Sequence, residues 1–197
     1  MNLRFEHYLK KNMGVSDSQL EGLLPSLKIK FYPRHSFLLR EGGIAVQSYY
    51  IEQGLVRSYS IDEKGRQHII QFAPEDWFIG ERSSVYFHIP SLFSIETIED
   101  TTVVIIDQDY INYVSRWPVY QEKNELSLQT HIRHLQNRIN LLLGASAETR
   151  YLEFIRLYPG LPQRVPQWMI ASYLGINPES LSRVRKEITS RSAGQQH

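Results

Sequence analysis

The segment from Gln167 to Glu187 combines side chains that can bond bases and phosphates with apolar residues at helical spacing, and it reads QWMIASYLGINPESLSRVRKE. Arginine can bond two acceptors of guanine in the major groove, and lysine suits a phosphate as a flexible point charge. From this segment we predict DNA contacts for Gln167, Asn177, Glu179, Ser180, Ser182, Arg183, Arg185 and Lys186.

Two short helices that cross at a steep angle would present these side chains together. Ala171 supplies a small residue where the helices cross, and Gly175 tolerates the left-handed backbone of a tight turn. Asn177 is placed to cap the second helix, while Leu181 and Val184 form its buried face. A helical hairpin with a merely solvated charged face is the alternative. The residues together favour a helix-turn-helix whose second helix enters the major groove.

A long helix is predicted upstream, with apolar residues spaced four, three, four and three along one narrow stripe: Leu128, Ile132, Leu135, Ile139 and Leu142. This 3.5-residue period is what a two-helix coiled coil requires. An ordinary core-facing helix shows similar offsets and is the alternative. The narrowness of the stripe favours the seam of a homodimer.

The first ~30 residues have helical spacing, and the stretch from Lys28 to Asp107 changes to short alternating runs that end at Gly, Pro or Asp. Such runs are typical of an antiparallel sandwich or barrel, and Asp62 to Gly65 is typical of a hairpin turn. Asp107 is placed to cap a short helix, and Pro118 to begin the long one.

Composition limits the classes of function. From His131 onward there are nine Lys and Arg against four Asp and Glu, while the preceding residues hold thirteen against seventeen. A basic C-terminal part on an acidic body suggests that only that part meets a polyanion. The absence of cysteine excludes disulfides and thiolate ligation of zinc or iron–sulfur clusters.

No apolar run approaches the ~18 residues of a membrane span, and the N-terminal MNLRFEHYLKKNMG does not have the pattern of a signal peptide. We therefore expect a cytoplasmic protein without a membrane partner.

Three signatures carry a family resemblance. REGG (Arg40 to Gly43), YYIEQGLV (Tyr49 to Val56) and EDWFIGE (Glu75 to Glu81) form a glycine ladder, followed by the long helix and by IASYLGINPESLSRVRKEI. From about residue 20 to 190 the chain resembles the cyclic-AMP receptor protein and fumarate–nitrate regulator (CRP/FNR) family of transcription factors. The order of the three signatures is more specific than any one of them.

The resemblance implies an α+β fold in three parts. Residues 1–116 would form a cyclic-nucleotide-binding-like β jelly roll that senses an effector, 117–144 a dimerisation helix, and 145–197 a helix-turn-helix domain. The polar stretch from Thr189 to His197 is short for the β-hairpin wing of the family, so we expect most of the wing to be lacking.

The function implied is that of a homodimeric, sequence-specific regulator that binds double-stranded DNA. In some activators of the family, the regions matching Ile51 to Gly54 and Ile61 to Gly65 would face RNA polymerase. The residues leave activator versus repressor open, and also the operator and the regulated genes.

The effector pocket implied by the resemblance comprises Gly80, Glu81, Arg82, Ser83 and Ser91. In members that bind cyclic AMP, a glycine–glutamate pair meets the ribose, and an arginine–serine pair about nine residues later meets the phosphate. Gly80 and Glu81 fit the first pair, but Ser91 and Leu92 occupy the second. Burying a phosphate without a cation is costly, so we predict an effector other than cyclic AMP, or none.

Two other classes compete with a regulator. A cupin-type metal enzyme needs clustered histidines and a carboxylate, whereas His68 and His88 are isolated and no His-x-His occurs. A protein-interaction module with a helix-turn-helix that does not bind DNA is disfavoured by Arg183, Arg185 and Lys186.

Haem could be ligated by a histidine among His7, His35, His68 and His88, but a lone histidine is more often structural. His131 and His134 could chelate a metal, but we expect them to be solvated instead. We predict no enzyme activity, cofactor or metal.

Overall fold

The computed structural model describes residues 3–194. Its helices are α1 (Arg4–Met13), α2 (Asp17–Leu23), α3 (Arg82–Phe87), α4 (Gln108–Val114), α5 (Pro118–Gly144), α6 (Ala147–Leu157), α7 (Gln167–Leu174) and α8 (Pro178–Gly194). Its strands are β1 (Lys28–Tyr32), β2 (Phe37–Leu39), β3 (Ser48–Gln53), β4 (Val56–Ile61), β5 (Gln67–Ala73), β6 (Phe78–Ile79), β7 (Ser94–Thr97) and β8 (Thr101–Ile106).

The strands form two four-stranded sheets, in the orders β1-β8-β3-β6 and β2-β7-β4-β5. The pairs β1·β8, β3·β8 and β4·β7 are antiparallel. Because side chains alternate along a strand, Tyr49, Ile51 and Val103 share one face of the first sheet. They pack with Val56 and Ile95 of the second sheet in one buried cluster. The jelly-roll fold implied by the resemblance is confirmed.

The other face of the first sheet is covered by α1. Phe5 is fully buried there, with its ring centroid 4.8 Å from that of Tyr50 and 5.9 Å from that of Tyr110. The Glu52 carboxylate accepts the backbone N–H groups of Arg4 and Phe5. This carboxylate of β3 therefore satisfies amides that the first turn of α1 cannot pair within the helix.

Local signals in the sequence predicted several element ends correctly. Asp107 Oδ1 accepts the N–H of Tyr110 at 3.0 Å at the start of α4, and α5 begins at Pro118. Gly65 has a φ of +76° in the hairpin between β4 and β5. A short polar or glycine residue at such a position acts on its immediate neighbours, so its role can be deduced without the rest of the fold.

Two features differ from the sequence-based expectation. The helix α3 interrupts the region expected to be all strands, because Glu81 caps its first turn. The stretch from Thr189 to Gly194, expected to be a polar tail, continues α8. Arg191 reaches α6 there, with its Nη1 and Nη2 atoms 2.7 and 3.0 Å from the two carboxylate oxygens of Glu148.

The chain groups into two compact units. The first extends up to Arg66 and includes Ile70–Thr130, and the second comprises Gln67–Ile69 with the residues from His131 onward. The jelly-roll core lies in the first unit, while α6, α7, α8 and the second half of α5 lie in the second. The three-domain division of the chain stays a prediction.

Gly54, in the turn between β3 and β4, provides a test of how closely that turn packs against the turn between β7 and β8. It has a φ of +99°, and a Cβ there would lie 2.5 Å from Asp100 O and 2.6 Å from Thr101 Oγ1. Gly65, with a φ of +76°, has open space around such a Cβ and is the matched control. We expect Gly65→Ala to lower the free energy of unfolding by about 1–2 kcal/mol through left-handed strain alone.

Gly54→Ala adds the clash to that strain and should lower the free energy of unfolding by about 3 kcal/mol or more. The measurement is urea unfolding of both variants followed by circular dichroism. Equal destabilisation by the two substitutions would show that the close approach at Gly54 is not tight.

Candidate nucleic-acid interface

The turn between α7 and α8 is built as the sequence predicts. Gly175 has a φ of +66°, and its N–H donates to Ser172 O at 3.1 Å. The N–H of Ile176 donates to Ala171 O at 3.0 Å, and the Ala171 side chain is buried. These bonds satisfy carbonyls at the end of α7 and turn the chain sharply toward α8.

The start of α8 is fixed by Asn177, whose Oδ1 accepts the N–H of Ser180 at 2.8 Å. Leu181 is fully buried and Val184 nearly so, and together they define the face of α8 that packs inward. The cap and this buried face together fix the rotation of α8 about its own axis.

The face of α8 opposite to these residues is polar and exposed. Glu179, Arg183 and Lys186 are exposed and follow one another at spacings of four and three residues, so their side chains lie in one row. A row of one carboxylate and two cations at the start of a helix matches the donors and acceptors of base edges and phosphates.

The other predicted DNA contacts lie outside this row. Ser182 and Asn177 are exposed, and Gln167 is exposed at the first turn of α7. Ser180 and Arg185, which we expected to face outward, are only half exposed. At 3.6 residues per turn, Arg185 comes four residues after the buried Leu181 and therefore lies near the same side of the helix. The DNA-contact residues stay a prediction.

The predicted seam residues lie along α5 and are mostly exposed in the single chain. Leu128 is half-buried, while Ile132, Leu135, Ile139 and Leu142 are exposed, with Ile139 at 56%. The buried side chain that α5 contributes is Tyr120, which is outside the stripe. Burial raises the pKa of the Tyr120 hydroxyl to about 12, an effect that Tyr86 and Tyr8 reinforce and Arg82 opposes.

The predicted effector residues are placed at the start of α3. Gly80 lies against β3, and a Cβ there would be 2.7 Å from Ser48 Cβ, which accounts for the glycine. Glu81 is buried, and its carboxylate accepts the Ser83 hydroxyl and the Ser84 N–H. The glutamate expected to meet a ribose is therefore occupied as the cap of α3.

The remaining effector residues make contacts away from that carboxylate. Arg82 is exposed, and its guanidinium lies 5.2 Å from the ring centroid of Tyr86. Ser91 is buried, and its hydroxyl donates to Phe93 O at 2.7 Å. Leu92, at the second position of the missing arginine–serine pair, is 80% exposed.

Several polar side chains have roles that were not anticipated. Ser84 is buried, and its Oγ accepts the N–H of Ala45 at 2.7 Å, which ties α3 to the preceding loop. Arg57 and Glu96 form a buried ion pair at 2.8 Å between β4 and β7. Arg138 and Arg150 bond backbone carbonyls of α7. Each of these contacts joins residues at least 24 positions apart, so no local sequence signal indicates it.

Two properties of the described chain concern metals and membranes. Within residues 3–194, no group of three or more His, Cys, Asp or Glu side chains is arranged to hold a metal ion. The helices described in this range include none that is long and apolar enough to span a membrane.

Comparison with known proteins agrees with this architecture. Residues 29–115 match the family model of the cyclic nucleotide-binding domain. The anaerobic regulatory protein of Bacillus subtilis is 26% identical over 144 residues, which are 71% of this chain and 60% of that protein. The chain thus spans less than two thirds of the length of this relative.

Solved structures share the fold. FixK2 from Bradyrhizobium japonicum superposes with a TM-score of 0.68 at 19% identity, over 84% of this chain and 86% of that one. The c-di-GMP-responsive global regulator CLP of Xanthomonas campestris also has a TM-score of 0.68, at 16% identity, over 90% and 93% of the two chains.

The matched domain lies in the first unit, the sequence relative is a regulator, and the similar structures extend over both units. The family model covers the glycine ladder of residues 40–81 and does not extend to the long helix or to the helix-turn-helix. Residues 29–115 therefore belong to the cyclic nucleotide-binding domain family, and the chain as a whole resembles regulatory proteins of the cyclic-AMP receptor protein and fumarate–nitrate regulator family.

Proposed function

We propose that this protein is a homodimer that binds specific sequences of double-stranded DNA and regulates transcription. The observation that carries the proposal is the exposed row of Glu179, Arg183 and Lys186 on α8, whose rotation is set by the Asn177 cap and by the buried Leu181. A helix with this arrangement at its N-terminal end is the recognition element of helix-turn-helix proteins.

The side chains of the row have complementary uses in a major groove. The guanidinium of Arg183 can bond O6 and N7 of guanine, and the Glu179 carboxylate can accept from N4 of cytosine. Lys186 lies a turn beyond Arg183 and suits a phosphate at the rim of the groove. The excess of nine cations over four anions from His131 onward favours approach to DNA.

The homodimer is supported by the exposed stripe on α5. Ile132, Leu135 and Ile139 leave large apolar side chains in water in the single chain. A second copy of α5 would bury them at the 3.5-residue period of a coiled coil. The helix has 27 residues and a length of about 40 Å, enough for more than three heptads. This exposure disfavours the alternative of an ordinary core-facing helix.

The effector is proposed to differ from cyclic AMP. A ribose would have to share the Glu81 carboxylate with the Ser83 hydroxyl and the Ser84 N–H, and Ser91 offers no charge to a phosphate. RNA polymerase is a partner by resemblance, through the regions Ile51 to Gly54 and Ile61 to Gly65. A cytoplasmic location follows from the same proposal.

A direct experiment separates this proposal from its rivals. Purified protein is incubated with genomic fragments, and the retained DNA is sequenced. A regulator enriches a common motif with two-fold symmetry. A cupin-type enzyme or a protein-interaction module retains no specific DNA, and that result would contradict the proposal.

The dimer seam is tested by a pair of substitutions matched in exposure on α5. Ile139 is 56% exposed and lies on the stripe, whereas Leu126 is 53% exposed and lies off it. Ile139→Asp would place two carboxylates in the seam and should raise the dimer dissociation constant about a hundredfold or more. Leu126→Asp should leave it unchanged. Analytical ultracentrifugation measures both, and equal effects would place the interface elsewhere.

Calorimetry tests the effector. We expect no saturable binding of cyclic AMP in the micromolar range, because Ser91 and Leu92 stand where the arginine–serine pair would be and an unpaired phosphate is costly to bury. A cyclic-AMP-binding family member serves as the positive control. Micromolar binding that strengthens DNA binding would contradict the prediction, and its loss in Arg82→Ala would identify the cation.

The recognition helix is tested with two substitutions. Arg183→Ala should cost ~1–3 kcal/mol of specific binding and relax the preference at one base position in each half-site. Lys186→Ala should weaken binding to all sequences alike and reduce the salt dependence by about one ion per subunit. The half-sites should lie ~34 Å apart, about one turn of DNA.

The measurement is a binding-site selection with both variants and the unsubstituted protein at two salt concentrations. If Arg183→Ala left the selected sequence unchanged while Lys186→Ala altered it, the orientation of α8 in the groove would be wrong.

A further inference from the structure

Two arginines from outside α7 meet the carbonyls at its C-terminal end. Arg138 of α5 donates from Nη2 to Tyr173 O at 3.1 Å, and Arg150 of α6 donates from Nη1 to Leu174 O at 2.9 Å. The last carbonyls of a helix have no partner within it, and they carry the negative end of the helix dipole. Guanidinium groups at this end therefore hold α7 by both charge and hydrogen bonds.

Arg138 is held by a further contact. Its guanidinium carbon lies 3.6 Å from the ring centroid of Tyr173, and the same Nη2 donates to Ile69 O at 3.1 Å. A planar guanidinium can stack on a ring and donate from its edge at the same time, which the ammonium of a lysine cannot do. Rotation of α7 relative to α5 would break the stack and the hydrogen bonds together.

The last turn of α5 is joined to the same place. Arg150 Nε donates to Ala145 O at 3.0 Å, directly after α5 ends. Leu142 Cδ2 lies 3.3 Å from the position that a Cβ on Gly175 would take. The turn of the helix-turn-helix is thus packed against α5 from one side while Arg138 and Arg150 bond the end of α7.

We propose that Arg138 is a positioning residue that fixes the orientation of the helix-turn-helix relative to α5, and thereby the spacing of the two half-sites that the protein accepts. The part concerning DNA rests on the proposed function. The reason is geometric: α5 carries the exposed apolar stripe and α8 carries the exposed polar row. In a two-fold dimer the separation and the relative rotation of the two recognition helices follow from the angle between α5 and α7.

The first test measures the orientation without DNA. The chain has no cysteine, so a variant with Gln136→Cys on α5 and Ser190→Cys on α8 carries spin labels at these two positions and nowhere else. Both positions are exposed. Labelled chains are diluted with unlabelled protein, so that double electron–electron resonance reports the distance within one chain. We expect a narrow distance distribution, which Arg138→Gln broadens.

The matched control is Arg133→Gln, at an exposed arginine five residues earlier on α5, which should leave the distribution narrow. Arg138→Lys should give an intermediate width, since it keeps the positive charge but loses the planar guanidinium that stacks on Tyr173 and donates from its edge. It takes the place of Arg138→Gln if that variant does not fold. An unchanged distribution in both Arg138 variants would overturn the proposal.

The second test compares DNA sites of different spacing. A one-base-pair insertion between half-sites rotates one recognition helix by roughly 34° relative to the other. We expect the unsubstituted protein to bind the expanded site about tenfold more weakly, and Arg138→Gln to reduce that penalty to about threefold or less. Arg133→Gln should keep the full penalty.

A merely structural role for Arg138 predicts another outcome. General destabilisation would weaken binding by the same factor at every spacing, and such a result would overturn the proposal. Should the unsubstituted protein bind no specific DNA, the proposed function fails, and the distance measurement alone decides whether Arg138 fixes α7.

Discussion

The free backbone groups at helix ends are the constraint on which most of this structure depends, because an amide or carbonyl left there without a partner is costly to bury. Glu52 accepts the first two amides of α1, Asp107 accepts one amide of the first turn of α4, and Asn177 accepts one of α8. Arg138 and Arg150 satisfy the last carbonyls of α7. Each of these bonds also fixes where its helix begins or ends. The polar row proposed to contact DNA lies on α8, one of the helices fixed in this way.

The same constraint acts at the predicted effector pocket. The Glu81 carboxylate accepts the Ser83 hydroxyl and the Ser84 N–H, which fill two of its roughly four acceptor positions. Glu81 therefore stabilises the start of α3, and Ser84 ties the same helix to Ala45. A ribose at this place would have to share the carboxylate with the helix cap, and a phosphate would need a cation that Ser91 does not supply.

The features that could be predicted from the sequence were those that act on neighbouring residues in the chain. Asp107, Gly175 and Asn177 influence residues within three or four positions, so their roles followed from residue type and spacing. The continuation of α8 to Gly194 and the clamp by Arg138 did not, since they depend on Glu148 and Tyr173, which lie far away along the chain. The residues next to an arginine in the sequence do not indicate which distant carbonyl its guanidinium will bond.

Leu142 shows how the seam and the helix-turn-helix are linked. It is the last residue of the predicted seam, and it is 37% exposed where Ile139 is 56% exposed. The difference has a physical cause, since Leu142 also packs against the turn at Gly175. The stripe on α5 therefore ends on a side chain that belongs to two surfaces. Because protein interiors are closely packed, a substitution at Leu142 is expected to affect the turn at Gly175 as well as the stripe. One rigid helix thus relates the proposed dimer to the proposed DNA contacts.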